Sequence, residues 1–114
     1  MEIKRGEIYY VDLEPVRGRE MQKFRPAVIV SNYIVNKNAA VVVICPITDA
    51  FGKTSKMHVF ISKDQGGLTK DSIVHCGQIR AIDKDERIGK KIGDMPEDIM
   101  DKIGSGIKWV ITAP

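Results

Sequence analysis

The side chains of this chain best suited to chemistry stand just outside short apolar runs. Arg25 precedes Pro26-Ala27-Val28, Thr48 and Asp49 follow Cys45-Pro46-Ile47, and Gln78 and Arg80 lie within a longer run from Ile73 to Ile82. A guanidinium is a planar fork of donors that fits carboxylate or phosphate oxygens, and a threonine hydroxyl adds one more donor. Pro26 disfavours helix at Arg25 and fixes the backbone at the strand entry, so the guanidinium is presented from a defined position. By residue type alone, Arg25 reads more readily as a solvated or salt-bridged side chain than as a catalytic one.

Other chemistries lack their residues. There is no G-x-S-x-G, no G-x-x-x-x-G-K-[ST] and no H-E-x-x-H, so serine-hydrolase, phosphate-loop and zinc-protease chemistry have no support, and neither metal nor cofactor is expected. Only His58 and His75 could form an acid/base pair, and both fall in strand patterns where structural histidines are the commoner case. Cys45 and Cys76 sit in apolar runs without a Cys-x-x-Cys spacing, and read as buried reduced thiols. The net charge of +3 and pI of 8.9 permit a polyanionic partner without demanding one. More informative is the local gathering of Arg17, Arg19, Lys23 and Arg25 around Glu20, with Phe24 beside it.

These residues need elements to hold them. At 114 residues the chain fits one domain, 1–114, and its 43% hydrophobic and 29% charged content is that of an ordinary globular protein. Residues 8–13, rich in aromatic and β-branched side chains, form a first strand ending at Glu14-Pro15. Residues 27–30 and 40–44 are short continuous apolar runs, expected as strands buried on both faces, with Asn36-Lys37-Asn38 turning the chain between them. Residues 57–61 alternate, and the run from Ile73 to Ile82 must bend at Gly77 if it is one strand. The middle of the chain is thus expected to be all strand.

The period then changes. Pro96 is expected at a first helical position, with Glu97 and Asp98 in the first turn where the helix dipole favours acids. Ile99, Ile103, Ile107, Val110 and Ile111 give that helix an apolar stripe, which Gly104 and Gly106 each weaken by up to about 1 kcal/mol. Short strands followed by one helix predict a mainly β fold: a small, strongly bent sheet or partial barrel with the C-terminal helix against it. No apolar run approaches the roughly 20 residues that span a bilayer and no leader-like segment opens the chain, so a soluble cytoplasmic protein is expected.

In order and spacing these pieces resemble the MazF/PemK family of toxin endoribonucleases across most of the chain. The matching segments are Arg5-Gly6-Glu7-Ile8 leading Val11-Asp12-Leu13, Gly18-x-Glu20 before Arg25-Pro26, and Ser31-Asn32. Ile47-Thr48, Asp71-Ser72, the Gln78-Ile79-Arg80-Ala81-Ile82-Asp83 segment and the helix follow. The resemblance implies an SH3-like partial barrel, a homodimer, and a metal-free cut of single-stranded RNA. In that cut the ribose 2′-hydroxyl attacks the adjacent phosphate, leaving 2′,3′-cyclic phosphate and 5′-hydroxyl ends. It places Arg25 and Thr48 as the catalytic pair, with Glu20 standing where it could orient Arg25 or act as base. Arg17, Arg19, Lys23, Phe24, Ser31, Gln78 and Arg80 are then the RNA contacts. It also implies a cognate acidic antitoxin whose partly disordered tail mimics RNA.

The chain departs from the family where the loop before the arginine often reads Gly-Ser-Glu-Gln: here Gly18-Arg19-Glu20-Met21 stands. The change bears on which RNA sequence is recognised more than on the chemistry, since Arg25, Pro26 and Thr48 are intact. Two alternatives compete with the nuclease. One is a gyrase-directed toxin of similar fold acting through Trp109-Val110-Ile111, against which the Arg-Pro, Thr and Gln-Ile-Arg segments speak. The other is a non-catalytic RNA-binding module, which would use the basic cluster and not need Thr48.

Overall fold

The computed structural model describes residues 2–13, 24–52 and 54–114. The expected positions Arg17, Arg19, Glu20 and Lys23 lie outside the described residues.

Apolar alternation with both faces buried explains the centre of the fold. Strand β1 is Glu7–Asp12, β2 is Phe24–Ile29 and β3 is Val41–Asp49, all antiparallel neighbours. Ala27, Ile29, Val42 and Ile44 face one apolar layer with Tyr9 and Val11. Val28, Cys45 and Ile47 face the other. Because successive strand residues point to opposite faces, a run such as Ala27-Val28-Ile29 can be apolar throughout only if both faces are covered.

Strand β3 is long enough to serve two partners. Its first half, Val41 to Ile44, pairs with β6 (Arg80–Asp83), and its last residues, Ile47 to Asp49, pair with β5 (Ser72–His75). Strand β4 (His58–Ile61) extends the sheet beyond β5, and β7 (Ile88–Asp94) closes the other side against β1. The order is therefore β4-β5-β3-β2-β1-β7 with β6 attached to β3. Register shifts between β1 and β7 at Ile8/Tyr9 and Tyr9/Val11 add the local twist that bends an open sheet.

Helix α2 (Glu97–Thr112) lies on the layer containing Val28 and Cys45, burying Ile99, Met100 and Ile103 and partly burying Ile107 and Val110. Pro96 occupies the N-cap position, one residue ahead of the expected first helical site. Ile111, expected on the apolar stripe, is 68% exposed in the last turn. Gly106 is required rather than tolerated: a Cβ there would stand 2.8 Å from Cys76 Sγ. Both cysteines are buried and free, as expected. Contact with the Cys76 thiol and burial push the Cys45 thiol well above its ordinary value.

Three expectations need correction. Residues 36–38 do not merely turn the chain: Tyr33–Asn38 forms a short helix, α1, capped by Asn32 Oδ1 accepting from the Val35 N–H at 3.0 Å. The run from Ile73 to Ile82 is two strands separated by a 3-10 turn at Cys76–Gln78, with Gly77 closely covered because a Cβ would meet Met57 Sδ at 2.5 Å. The middle of the chain is thus not all strand. Strand β7, a segment without an expectation from the sequence, carries Gly89 and Gly93 in its interior, where glycine usually weakens a strand. Both glycines are demanded by neighbours: a Cβ at 89 would stand 2.9 Å from the Phe24 ring, and one at 93 would stand 2.4 Å from Gly66 O.

Candidate active site

The site begins with two prolines. Pro26 lies one step beyond Ala27, where the β2–β3 ladder ends opposite Pro46, and neither proline has an N–H to extend a ladder. Continuing that register two residues outward sets Arg25 of β2 opposite Thr48 of β3, with both side chains on one face. The strands stay adjacent there but are no longer laced together, and a cleft of about 450 Å³ opens, lined by Arg25, Pro26, Ile47, Thr48, Asp49, Phe51 and Ser72.

Each lining side chain has a positional reason. Arg25 is exposed and donates from Nη1 to Phe24 O at 3.0 Å, while Val11 of β1 stands opposite it on the other side. The Thr48 hydroxyl is exposed and donates to Asp49 O at 3.3 Å. Ser72, buried on β5 opposite Asp49, donates to Lys70 O at 2.8 Å. The exposed Asp49 carboxylate lies 3.6 Å from Lys70 Nζ. A smaller hollow of about 230 Å³ shares Pro26, Asp49 and Ser72 with the cleft and continues past Tyr10 and Lys70. A track carrying both Arg25 and Lys70 suits a chain of phosphates better than a single small acid.

Other expected contacts are placed elsewhere. Ser31 is buried, and its hydroxyl is engaged within the fold: it donates to Asn36 Oδ1 and accepts from the Val43 N–H at 2.9 Å. That removes the reason for expecting an RNA contact there; Ser31 ties α1 to β3. The Phe24 ring packs over Gly89 and beside Tyr10, on the β7 side of the sheet and not among the residues lining the Arg25 cleft. Arg80 is exposed on β6 opposite Ile44, roughly 13 Å along β3 from Thr48 at strand rise, and donates to Leu13 O at 3.3 Å. Gln78 is exposed in the 3-10 turn. Neither lines the cleft. Conversely, Asp49, Phe51 and Ser72 do line it. The Asp71-Ser72 segment was visible in the sequence, whereas nothing in the spacing of Phe51 connected it with Arg25.

A larger hollow, about 680 Å³, lies between β4 and α2 and is flanked by Phe60 and Trp109, 53% and 41% exposed. His58 also borders it. The His58 and His75 rings meet edge to face at 4.6 Å, and burial together with the charge of His58 holds His75 below its ordinary value. Among the described residues, His75 Nδ1 is buried with no hydrogen-bond partner. Among the described residues no His, Cys, Asp and Glu group could hold a metal ion, and no helix is long and apolar enough to cross a membrane.

Comparison with known proteins agrees with this architecture. Residues 4–111 match the model of the PemK-like, MazF-like toxin of type II toxin-antitoxin systems. The chain is 34% identical over 109 residues to Endoribonuclease EndoA of Bacillus subtilis, covering 95% of this chain and 93% of that protein. It is 37% identical over 106 residues to Endoribonuclease MazF of Staphylococcus epidermidis, covering 92% and 88%. A mycobacterial endoribonuclease solved in complex with its cognate antitoxin superposes with a TM-score of 0.79 at 27% identity, covering 98% of this chain and 97% of that one. With the family model spanning nearly the whole sequence and both relatives aligned end to end, the chain belongs to the PemK-like, MazF-like toxin family of type II toxin-antitoxin systems.

Proposed function

We propose that this chain is an endoribonuclease toxin that cleaves single-stranded RNA in the cleft holding Arg25 and Thr48. The observation that carries the reading is the convergence of those two side chains at the open end of the β2–β3 ladder, beside a second hollow bearing Lys70. The ribose 2′-oxygen attacks the adjacent phosphorus, its proton passing to a base. The bond to the 5′-oxygen then breaks, and that oxygen takes up a proton. Negative charge builds on the phosphorane oxygens, where a preorganised guanidinium and hydroxyl stabilise it more than the ground state. Arg25 acts chiefly through charge, since a guanidinium carries five donors and no acceptor and is a poor base. Glu20 is the group that orients Arg25 or accepts the 2′-proton, and Arg17, Arg19, Lys23, Gln78 and Arg80 serve as phosphate or base contacts.

The same reading makes the 114 residues one toxin domain acting in the cytoplasm without metal or cofactor. It is inhibited by an antitoxin whose acidic tail occupies the phosphate track. Phe60, Trp109 and Ile111 form exposed apolar surface that a second copy would cover in a symmetric homodimer. The test is cleavage of a transcript in EDTA, with the products analysed for 2′,3′-cyclic phosphate and 5′-hydroxyl ends. RNA bound but left whole, or cutting that survives Arg25→Ala at matched protein concentration, refutes the assignment.

A further inference from the structure

Phe51 is a large apolar side chain that the fold leaves 49% exposed, three residues beyond Thr48 and inside the cleft that Arg25 lines. An isolated exposed phenylalanine needs no explanation, but this one is held in position. The backbone is pinned one residue earlier, where the Ala50 N–H donates to Asp71 O at 2.9 Å. Its ring meets His58 edge to face, with centroids 5.3 Å apart and planes at 87°. His58 is itself fixed, since Nδ1 accepts from the Ser55 N–H at 2.9 Å and its ring meets His75 at 4.6 Å. Phe51 is thus braced from the β4 side while remaining part of the cleft wall. Phe24, the other aromatic near Arg25 in the chain, has its ring over Gly89 and is not in that wall.

We infer that Phe51 is the stacking platform for the nucleobase next to the scissile phosphate, and that it gives the enzyme a purine preference at that one position. This rests on the nuclease reading. Three residues of chain span at most about 10 Å, and Phe51 lines the same cleft as Thr48, which keeps it within reach of a base flanking a phosphate held there. Stacking accepts any base, because every base has a π-face, and modest preference follows from stacking strength, which favours the larger purine ring. No hydrogen-bonding code is required of Phe51. It discriminates through apolar contact area, in a cleft whose other walls, Arg25, Thr48 and Asp49, supply charge and donors.

The test maps one cut site in a transcript, then measures kcat/KM on a short RNA oligonucleotide spanning it. Abasic nucleotides are substituted singly on either side of the scissile phosphate. Phe51→Ala should lose roughly 5- to 100-fold on the intact oligonucleotide, whereas Phe51→Trp should retain most activity. At one flanking position the abasic substitution should slow wild type by a similar factor and leave Phe51→Ala with no further loss. There the wild-type preference for purine over pyrimidine should collapse in the variant. A merely structural role predicts instead a lowered melting temperature and a loss that adds to the abasic effect at every position. If wild type cleaves and Phe51→Ala is unaffected, or its losses are additive throughout, the stacking role is overturned and the nuclease stands. If wild type leaves all RNA intact, the nuclease reading and the stacking role fall together.

Discussion

Ser31→Ala separates a structural hydroxyl from an RNA-contacting one. The hydroxyl donates to Asn36 Oδ1 and accepts from the Val43 N–H, and Ser31 and Asn36 are both buried. Alanine leaves the Asn36 bond to Ser31 O in place, since that acceptor is backbone. It orphans the Val43 N–H and one lone-pair site of Asn36. An orphaned buried group costs about 1–3 kcal/mol; with the Val43 N–H only part-buried and some relaxation at Asn36, the two together cost about 2–4 kcal/mol. At a typical unfolding entropy per residue, a domain of this size loses roughly 4 °C per kcal/mol, giving a fall in Tm of roughly 8–16 °C. Thermal and urea unfolding measure the loss. Cleavage is compared well below both midpoints, where kcat/KM should stay within about threefold of wild type. An unchanged Tm with cleavage lost would refute the structural placement and return Ser31 to the RNA surface.

The remaining expectations probe the site, the sheet edge and the helix. Arg25→Ala should lower kcat by about 100-fold or more and Thr48→Val by a comparable factor, with unfolding midpoints near wild type because both side chains are exposed; single-turnover cleavage at saturating enzyme measures this. Burial works to raise the Glu7 pKa, but bonds from Lys91, the Lys4 N–H and the Tyr9 hydroxyl outweigh it and hold the value below 4.5. A depressed folded-state value means the stabilisation is full above the unfolded glutamate pKa and lost as pH falls through the folded one. Urea midpoints should therefore drop below about pH 4.5, and Glu7→Gln should flatten that drop; an equal drop in the variant would assign the acid sensitivity elsewhere. Gly104→Ala should stabilise by up to about 1 kcal/mol, since a Cβ meets only Arg5 Nη2 at 3.9 Å, whereas Gly106→Ala should lose that gain to overlap with Cys76 Sγ. Equal urea midpoints for the two variants would contradict the close packing at Gly106.

What could be read from the sequence tracks how local each determinant is. Residues 27–30 and 40–44 could be recognised as strands because continuous apolar runs need cover on both faces. Helix α2 declared itself through Glu97, Asp98 and the spacing of Ile99, Ile103 and Ile107. Helix α1 escaped because six residues carry too short a pattern, and its stability comes from Asn32 and from Asn36 bonded to Ser31. Strand β7 escaped because its glycines answer to Phe24 and Gly66, which are distant in sequence. The same division runs through the site. Arg25 was marked by its own proline and Thr48 by its place after an apolar run. Gln78 and Arg80 join them in the sequence only as polar residues on the long run from Ile73 to Ile82. Because that run is antiparallel to β3 and starts with Ile73 opposite Thr48, it carries Arg80 away to the far half of β3, opposite Ile44.

That geometry separates chemistry from recognition within the fold. Strand β3 is paired along both edges and β2 with β1 and β3, and their side chains reach into apolar layers on both faces. Arg25 and Thr48 emerge where β2 and β3 part, but each is still held by its other neighbour, Arg25 opposite Val11 of β1 and Thr48 opposite Ile73 of β5, so the donors keep their aim without reorganising. Phe51 lies beyond the end of β3, followed by Gly52, around which a Cβ would find open space. Substitution there disturbs no core layer, so under the proposed function the base read at the cleft can change while Arg25 and Thr48 stay fixed. The departure of residues 18–21 from the family pattern falls between the β1 and β2 segments in the sequence. Relatives at 34% and 37% identity can thus share a cleavage reaction while differing in the RNA they cut, provided the differences gather at such positions. Exchanging residues 50–52 for those of a relative should accordingly alter the base preference beside the cut and leave the cyclic-phosphate product unchanged. Loss of all cleavage in a chimera that still folds would show that recognition and chemistry are not separable in this way.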